Sequence, residues 1–223
     1  GGDHGGGLAD LLMVPDAEHM LVVAPESIDD IALATIPDNV IDAYRTVVDG
    51  LRERPGADVL IVGGDAPSIG LYAILCARAL GAGRVRYADS DPARLGAASD
   101  LGAEITDLRG EFPRRLDRAP IVVAGSLAVE GLHCAIRSTA AYGRLTVVTI
   151  HFAPQTPLPL LEMYTRGITF HTSRADSRRY LPEVLDLVAA GRLDPLAVPT
   201  SVVPWGQAGE RWLESAIKMV VTR

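Results

Sequence analysis

Aromatic side chains are scarce in this chain. Phe, Trp and Tyr make up 5% of its 223 residues, against 48% hydrophobic residues overall. A core so poor in rings has to be built from Ala, Val, Leu and Ile. That suits close packing of helices on a sheet better than an aromatic-rich binding surface. Cysteine is almost absent, with only Cys76 and Cys134. Both sit in helical apolar patterns and read as buried free thiols in a reducing cytoplasm. Their number and spacing support neither a disulfide framework nor a cysteine-rich zinc site. Positive charge is also in deficit. The formal net charge is −7 and no long basic run occurs, which argues against a nucleic-acid partner. No apolar segment approaches the ~20 residues of a membrane span. No secretory leader is recognisable, although the sequence opens on Gly1 rather than Met. The length allows one large or two small domains.

What is present is concentrated in Val59-Leu60-Ile61-Val62-Gly63-Gly64-Asp65-Ala66-Pro67-Ser68-Ile69-Gly70, followed nineteen residues later by Asp89. The apolar run predicts a buried parallel strand. A glycine-bearing turn follows, then a helical pattern, then a second strand ending in a carboxylate. That order is how a doubly wound α/β domain holds a dinucleotide. Backbone N–H groups around Gly63 and Gly64, and the helix start at Ser68 and Ile69, face the pyrophosphate. The acidic residue takes the ribose hydroxyls. Gly63 to Gly70 spans eight residues where the usual fingerprint spans six, so glycine roles cannot be assigned one by one from sequence.

Around this motif the rhythm is strand, helix, strand. Short strands are expected at Asp10–Val14 and Met20–Val23. Helical pieces run from Ile28 to about Leu51, interrupted at Pro37, with a break from Gly50 to Gly56. Strands at Asp58–Val62, Val85–Ala88, Glu104–Thr106, Ile121–Ala124, Leu145–Ile150 and Gly167–His171 alternate with helices at Ile69–Leu80, from Pro92 to Leu101, Glu130–Ala141 and Ser177–Ala190. Ala153–Leu160, rich in proline, reads as an irregular connection or edge. The C-terminal part reads as strand, helix (Trp205–Ser215) and strand (Ile217–Thr222). Residues 1–7 are mostly glycine and read as a loop, His4 included. None of the five histidines shows ligand spacing.

Several segments form a set: Gly7-Leu8-Ala9-Asp10-Leu11-Leu12-Met13-Val14-Pro15, Ala79-Leu80-Gly81-Ala82-Gly83-Arg84-Val85, Asp89-Ser90-Asp91-Pro92-Ala93-Arg94-Leu95 and Leu101-Gly102-Ala103. Further along come Leu181-Pro182-Glu183-Val184-Leu185-Asp186-Leu187, Gly191-Arg192-Leu193-Asp194-Pro195, Val203-Pro204-Trp205 and Ile217-Lys218-Met219-Val220. In this order and spacing the chain resembles the zinc-type medium-chain alcohol dehydrogenase superfamily. The resemblance implies an α/β fold with a doubly wound parallel sheet (Rossmann-type) and the remnant of a second, mainly β catalytic lobe. Residues 1–39 would be the remnant of that GroES-like lobe, 40–172 the dinucleotide-binding domain, and 173–223 the segment returning to the lobe. The family's early cysteine ligand, its Gly-His-Glu zinc motif and its four-cysteine loop find no match, so the chain reads as a truncated member.

Asp89, at the end of the second strand, would accept the ribose hydroxyls and repel a 2′-phosphate, which favours NAD over NADP. The alternative is a solvated Asp beside a helix start. Asp91 is better explained as a helix cap before Pro92. Arg94 matches a basic family position near the adenosine, or is a surface cation. Lys218 matches a basic position that reaches the pyrophosphate, and its apolar strand pattern requires a partner for its charge. Gly125 and Thr149, after the fourth and fifth strands, would border the nicotinamide end. So would Ser173, where a backbone N–H meets the carboxamide. Arg174 contacts the cofactor or pairs with Asp176.

Asp38 matches the family's third zinc ligand; the plain alternative is an N-cap after Pro37. One carboxylate binds zinc poorly, so stoichiometric zinc is expected to be absent from this chain and present in the intact parent. The activity implied is hydride transfer between an alcohol or carbonyl substrate and nicotinamide, with zinc as Lewis acid. A zinc-free quinone-type reductase, a non-catalytic nucleotide-binding module and an S-adenosylmethionine methyltransferase are the rivals. A homodimer or tetramer is expected through the sheet edge around Leu158–Thr172.

Overall fold

A computed structural model describes residues 6, 7, 9–214 and 216–223. Its centre is a six-stranded parallel sheet in the order β3-β2-β1-β4-β5-β6. The strands are β1 (Val59–Val62), β2 (Val85–Asp89), β3 (Glu104–Asp107), β4 (Ala119–Ala124), β5 (Thr139–Val147) and β6 (Thr169–Thr172). The chain starts in the middle, builds outward to β3, returns to the centre and builds outward again to β6. That reversal between β1 and β4 opens a crevice at the carboxyl ends of the strands. Every residue of β1 is buried, as an apolar run covered on both faces requires.

Alternate β1 residues feed two cores. Val59 and Ile61 pack with α3 (Ile41–Glu53), α4 (Pro67–Ala79), α5 (Pro92–Asp100) and α8 (Ser177–Ala189). Leu60 and Val62 pack with Leu132, Ala135 and Ile136 of α6 (Val129–Arg137) on the other face. Before α3 lie α1 (Ala17–Met20) and α2 (Asp30–Thr35). A π-helical turn over Ile36–Val40 carries Pro37 in its first turn and joins α2 to α3. The expected interruption at Pro37 takes this form. Gly50 does not break the helix: α3 runs through it, because an added Cβ would lie 2.8 Å from the Ile121 side chain and only glycine lets α3 lie this close to β4.

Five other expectations are corrected. No strand forms at 10–14 or 20–23. Leu11, Met13 and Val23 are 90%, 66% and 93% exposed, with no neighbouring strand to pair with. The helix expected to reach Ala141 stops at Arg137. Ser138 and Thr139 turn their hydroxyls onto Cys134 O and Ala135 O at 2.7 and 3.0 Å, which releases β5 six residues early. Within the expected edge segment, Leu160–Arg166 forms a helix, α7. The C-terminal helix reduces to a short 3₁₀ turn at Trp205–Gln207 and α9 (Ala208–Arg211), since Gly206 and Gly209 weaken it; Ser215 lies outside the described residues. Residues 1–5 and Leu8, His4 among them, also lie outside. β7 (Thr200–Pro204) and β8 (Lys218–Thr222) pair in parallel as a small second sheet. Cys76 and Cys134 are both free and buried, as read from sequence.

Candidate functional site

The turn after β1 is built by close approach. At Gly63 an added Cβ would collide with the Asp89 carboxylate and lie 2.6 Å from Tyr87 Oη. Gly64 has φ +132°, a conformation side chains rarely adopt, and a Cβ there would sit 3.1 Å from Ser126 Cα. An added Cβ at Gly70 would lie 3.3 Å from the Tyr87 ring, so its absence lets α4 settle against β2. The three glycine roles left open by the longer loop are therefore assigned by contact. The extra residues are used to lace this loop to the one after β4. Ala66 N–H donates to Gly125 O at 3.0 Å, and Leu127 N–H donates to Asp65 Oδ2 at 2.6 Å. Ala66 at the N-cap offers no side-chain cap, so the first turn of α4, with Ser68 and Ile69, is left without a side-chain acceptor.

Asp89 ends β2 with its side chain 2% exposed. Its Oδ1 accepts from Arg94 Nη2 at 2.7 Å and from the N–H groups of Ser90 and Asp91 at 2.7 and 3.0 Å. Its Oδ2 accepts from Arg94 Nε at 2.9 Å and from Tyr87 Oη at 2.8 Å. Burial pushes this carboxyl's pKa up, but the Arg94 guanidinium, the Asp91 N–H and the Tyr87 hydroxyl outweigh it and hold the pKa below the usual carboxylate range. Tyr87 is pushed well above the ordinary phenol range by burial and by Asp89. Asp91 caps α5 by accepting from Arg94 N–H at 2.9 Å, as its place before Pro92 suggested.

The chain spans about half the length, or less, of the curated relatives it matches. It is 28% identical over 217 residues to a probable zinc-binding alcohol dehydrogenase of Mycobacterium tuberculosis, covering 92% of this chain and 54% of that protein. It is 37% identical over 116 residues to a formaldehyde dismutase of Pseudomonas putida, covering 49% of this chain and 28% of that protein. Among solved structures, an alcohol dehydrogenase from Thermus sp. ATN1 superposes with a TM-score of 0.87 at 28% identity, covering 97% of this chain and 67% of that one. The chain is similar in sequence and fold to alcohol dehydrogenases of the zinc-binding kind. No protein-family model matches it.

In this chain a cleft of about 1000 Å³ opens beyond the ends of β4, β5 and β6. Asp38, Asp42, Thr149, His151, Ser173 and Arg174 are on its wall. Thr149 Oγ1 donates to Ser126 O at 3.2 Å and lies 3.3 Å from His151 Nε2, which draws the loops after β4 and β5 together. Lys218 Nζ donates to Asn39 Oδ1, so the partner its charge required is supplied by the π-helical turn. Burial lowers the Lys218 pKa, with the nearby Asp38 carboxylate acting the other way. Among the described residues no group of three His, Cys, Asp or Glu side chains is arranged to hold a metal ion. Asp38 therefore stands without companion ligands, and the residues described do not fit a zinc ion by themselves.

Sequence reasoning missed Tyr87, Asp65, Asp42 and Arg45. Asp42 is buried and forms an ion pair with Arg45 one turn along α3. Burial raises the Asp42 pKa, with Arg45 opposing and Asp38 reinforcing the rise. The i, i+3 spacing of Asp42 and Arg45 was the available signal, but it is also the spacing of ordinary surface pairs.

Proposed function

We propose that this chain is the cofactor-binding part of an NAD-dependent oxidoreductase that interconverts an alcohol and a carbonyl compound. One observation carries the reading: the glycine turn after β1 lies directly against the Asp89 carboxylate at the end of β2, where the fold presents a dinucleotide's ribose. The residues fit such a group. Gly63 and Gly64 keep the turn bare of side chains, since a Cβ at either would meet Asp89, Tyr87 or Ser126, and α4 starts just beyond it without a side-chain cap. Gly63, Gly64, Ser68 and Ile69 would hold the pyrophosphate, and Asp89 with Arg94 the adenosine ribose. Gly125, Thr149, Ser173 and Arg174 would border the nicotinamide. Bound nicotinamide supplies hydride transfer; the chain's own residues orient it and exclude water. Asp89 keeps a carboxylate where NADP carries a phosphate, and NAD is therefore preferred. Residues before α3 and the β7–β8 pair are read as parts of the catalytic lobe, and zinc chemistry belongs to the whole protein.

Thermal unfolding tests this. A ligand at 100 times its Kd adds about 2.7 kcal/mol, and a chain of this size gains about 2–4 °C per kcal/mol. NADH is expected to raise the melting temperature by roughly 5–10 °C at that saturation. NADPH at the same concentration is expected to raise it less. Equal or greater stabilisation by NADPH would remove the NAD assignment, and no stabilisation by either would remove the nucleotide reading.

We also propose that the chain pairs with a second copy through the β6 edge. β6 is the outermost strand, and Leu160, Leu161 and Tyr164 on the adjoining α7 are 65%, 75% and 85% exposed. An open edge beside an apolar helix face is a liability that pairing removes. Light scattering at micromolar concentration is expected to give twice the chain mass, and Leu160→Lys to return it to the monomer. A monomeric wild type, blunted by Pro154, Pro157 and Pro159, would refute the pairing; a dimer that survives Leu160→Lys would refute this surface.

A further inference from the structure

We infer that Arg45 is a positioning residue that aims the backbone between β6 and α8 at the nicotinamide end of the cleft. The inference rests on the dinucleotide reading above and adds to it a residue that never touches the cofactor.

Arg45 projects from α3 with its side chain 4% exposed. Its Nε is held by Asp42 of the same helix. The rest of the guanidinium reaches across 128 residues of sequence: Nη2 donates to Ser173 O at 3.1 Å, and Nη1 to Ser173 Oγ at 3.4 Å. The Ser173 hydroxyl is engaged further by His171 Nε2 at 2.9 Å and by Arg174 O at 3.0 Å. One loop residue is thus held at both its carbonyl and its side chain by a planar fork. That fork is oriented in advance by a carboxylate one turn away.

The direction of that grip matters. Ser173 and Arg174 form a partition. On one side is the cleft; on the other is a cavity of about 270 Å³ to whose wall Arg45 belongs. A trans peptide is planar, so its C=O and N–H point opposite ways. Drawing Ser173 O toward Arg45 turns the Arg174 N–H away from Arg45, to the cleft side. With Asp42 taking only Nε, the buried Nη groups still need acceptors, and the loop after β6 supplies them. That grip on Ser173 O fixes one backbone donor where the carboxamide of a nicotinamide would need one.

The test compares two ligands that differ only in the nicotinamide. Calorimetry on the whole chain gives Kd for NADH and for ADP-ribose, in the wild type and in Arg45→Lys. The lysine keeps a positive charge beside Asp42 and loses the fork. ADP-ribose is expected to bind within about twofold of wild type, while NADH weakens about tenfold, a difference of about 1.4 kcal/mol. A second variant, Asp42→Asn with Arg45→Met, leaves no buried unpaired charge and is expected to show the same selective loss. Equal loss for both ligands would make Arg45 merely structural and overturn the inference. So would unchanged NADH binding, or a wild type that binds NADH no more tightly than ADP-ribose. A wild type that binds neither ligand overturns the dinucleotide reading, and this inference with it.

Discussion

Gly63→Ala is expected to weaken NADH binding by roughly 100-fold, about 2.7 kcal/mol, and to lower the melting temperature as well. The methyl group would enter the space held by the Asp89 carboxylate and sit 2.6 Å from Tyr87 Oη. Neither neighbour can withdraw cheaply. Tyr87 is fully buried, and the Asp89 oxygens are engaged by Arg94, by Tyr87 and by two backbone N–H groups. The backbone of the turn must move instead, which carries Gly64 and the first turn of α4 out of register with a bound phosphate. Overpacking of this kind costs about 1–3 kcal/mol of stability, or roughly 2–12 °C at this chain length. Calorimetric titration of the folded variant checks it; an NADH affinity within a factor of three of wild type would show that the turn does not meet the cofactor.

Asp89→Ala is expected to be the more destabilising change. It strips the bidentate partner from a guanidinium that is 25% exposed and leaves it Asp91 at 3.6 Å, leaves the buried Tyr87 hydroxyl without its acceptor, and frees two N–H groups. Breaking such a pair costs about 3–5 kcal/mol, and the partial exposure of Arg94 places the expectation at the low end. The same carboxylate gives the protein an acid limb. Its folded pKa lies below the unfolded value, so its contribution is fully present above about pH 4 and drains away as pH falls through the folded value. Melting curves from pH 6 down to pH 3 are expected to fall less steeply for Asp89→Asn than for wild type. Parallel curves would mean that Asp89 is not stabilised in its charged form.

The central strands were legible because apolar runs of four to six residues, punctuated by glycine and proline, have few other uses. Val59–Val62 and Ile121–Ala124 lie where the pattern put them. So does the start of α5, because an Asp-Pro pair specifies a cap in purely local terms. Leu11-Leu12-Met13 and Leu21-Val22-Val23 looked equally strand-like, but a strand needs a neighbour, and a sequence does not say whether one is supplied. In the site, Asp89 and Gly63 could be paired from spacing alone, whereas Tyr87 could not. Its hydroxyl matters only because the side chains at positions 87 and 89 emerge on the same face of β2 and Gly63 leaves room beside them. The link from Arg45 to Ser173 was illegible for a related reason. Contact between residues 128 positions apart is a property of the sheet order, and nothing local announces it.

The contact between Lys218 and Asn39 spans 179 positions, longer than any strand pairing in the sheet. During synthesis, β1 to β6 and the helices between them can assemble while the C-terminal residues are still inside the ribosome. The π-helical turn that carries Asp38 acquires its lysine only after residue 218 has emerged. The wall of the cleft at Asp38 is therefore among the last features of the molecule to be completed, and a nascent chain holds its glycine turn well before it holds a finished cleft.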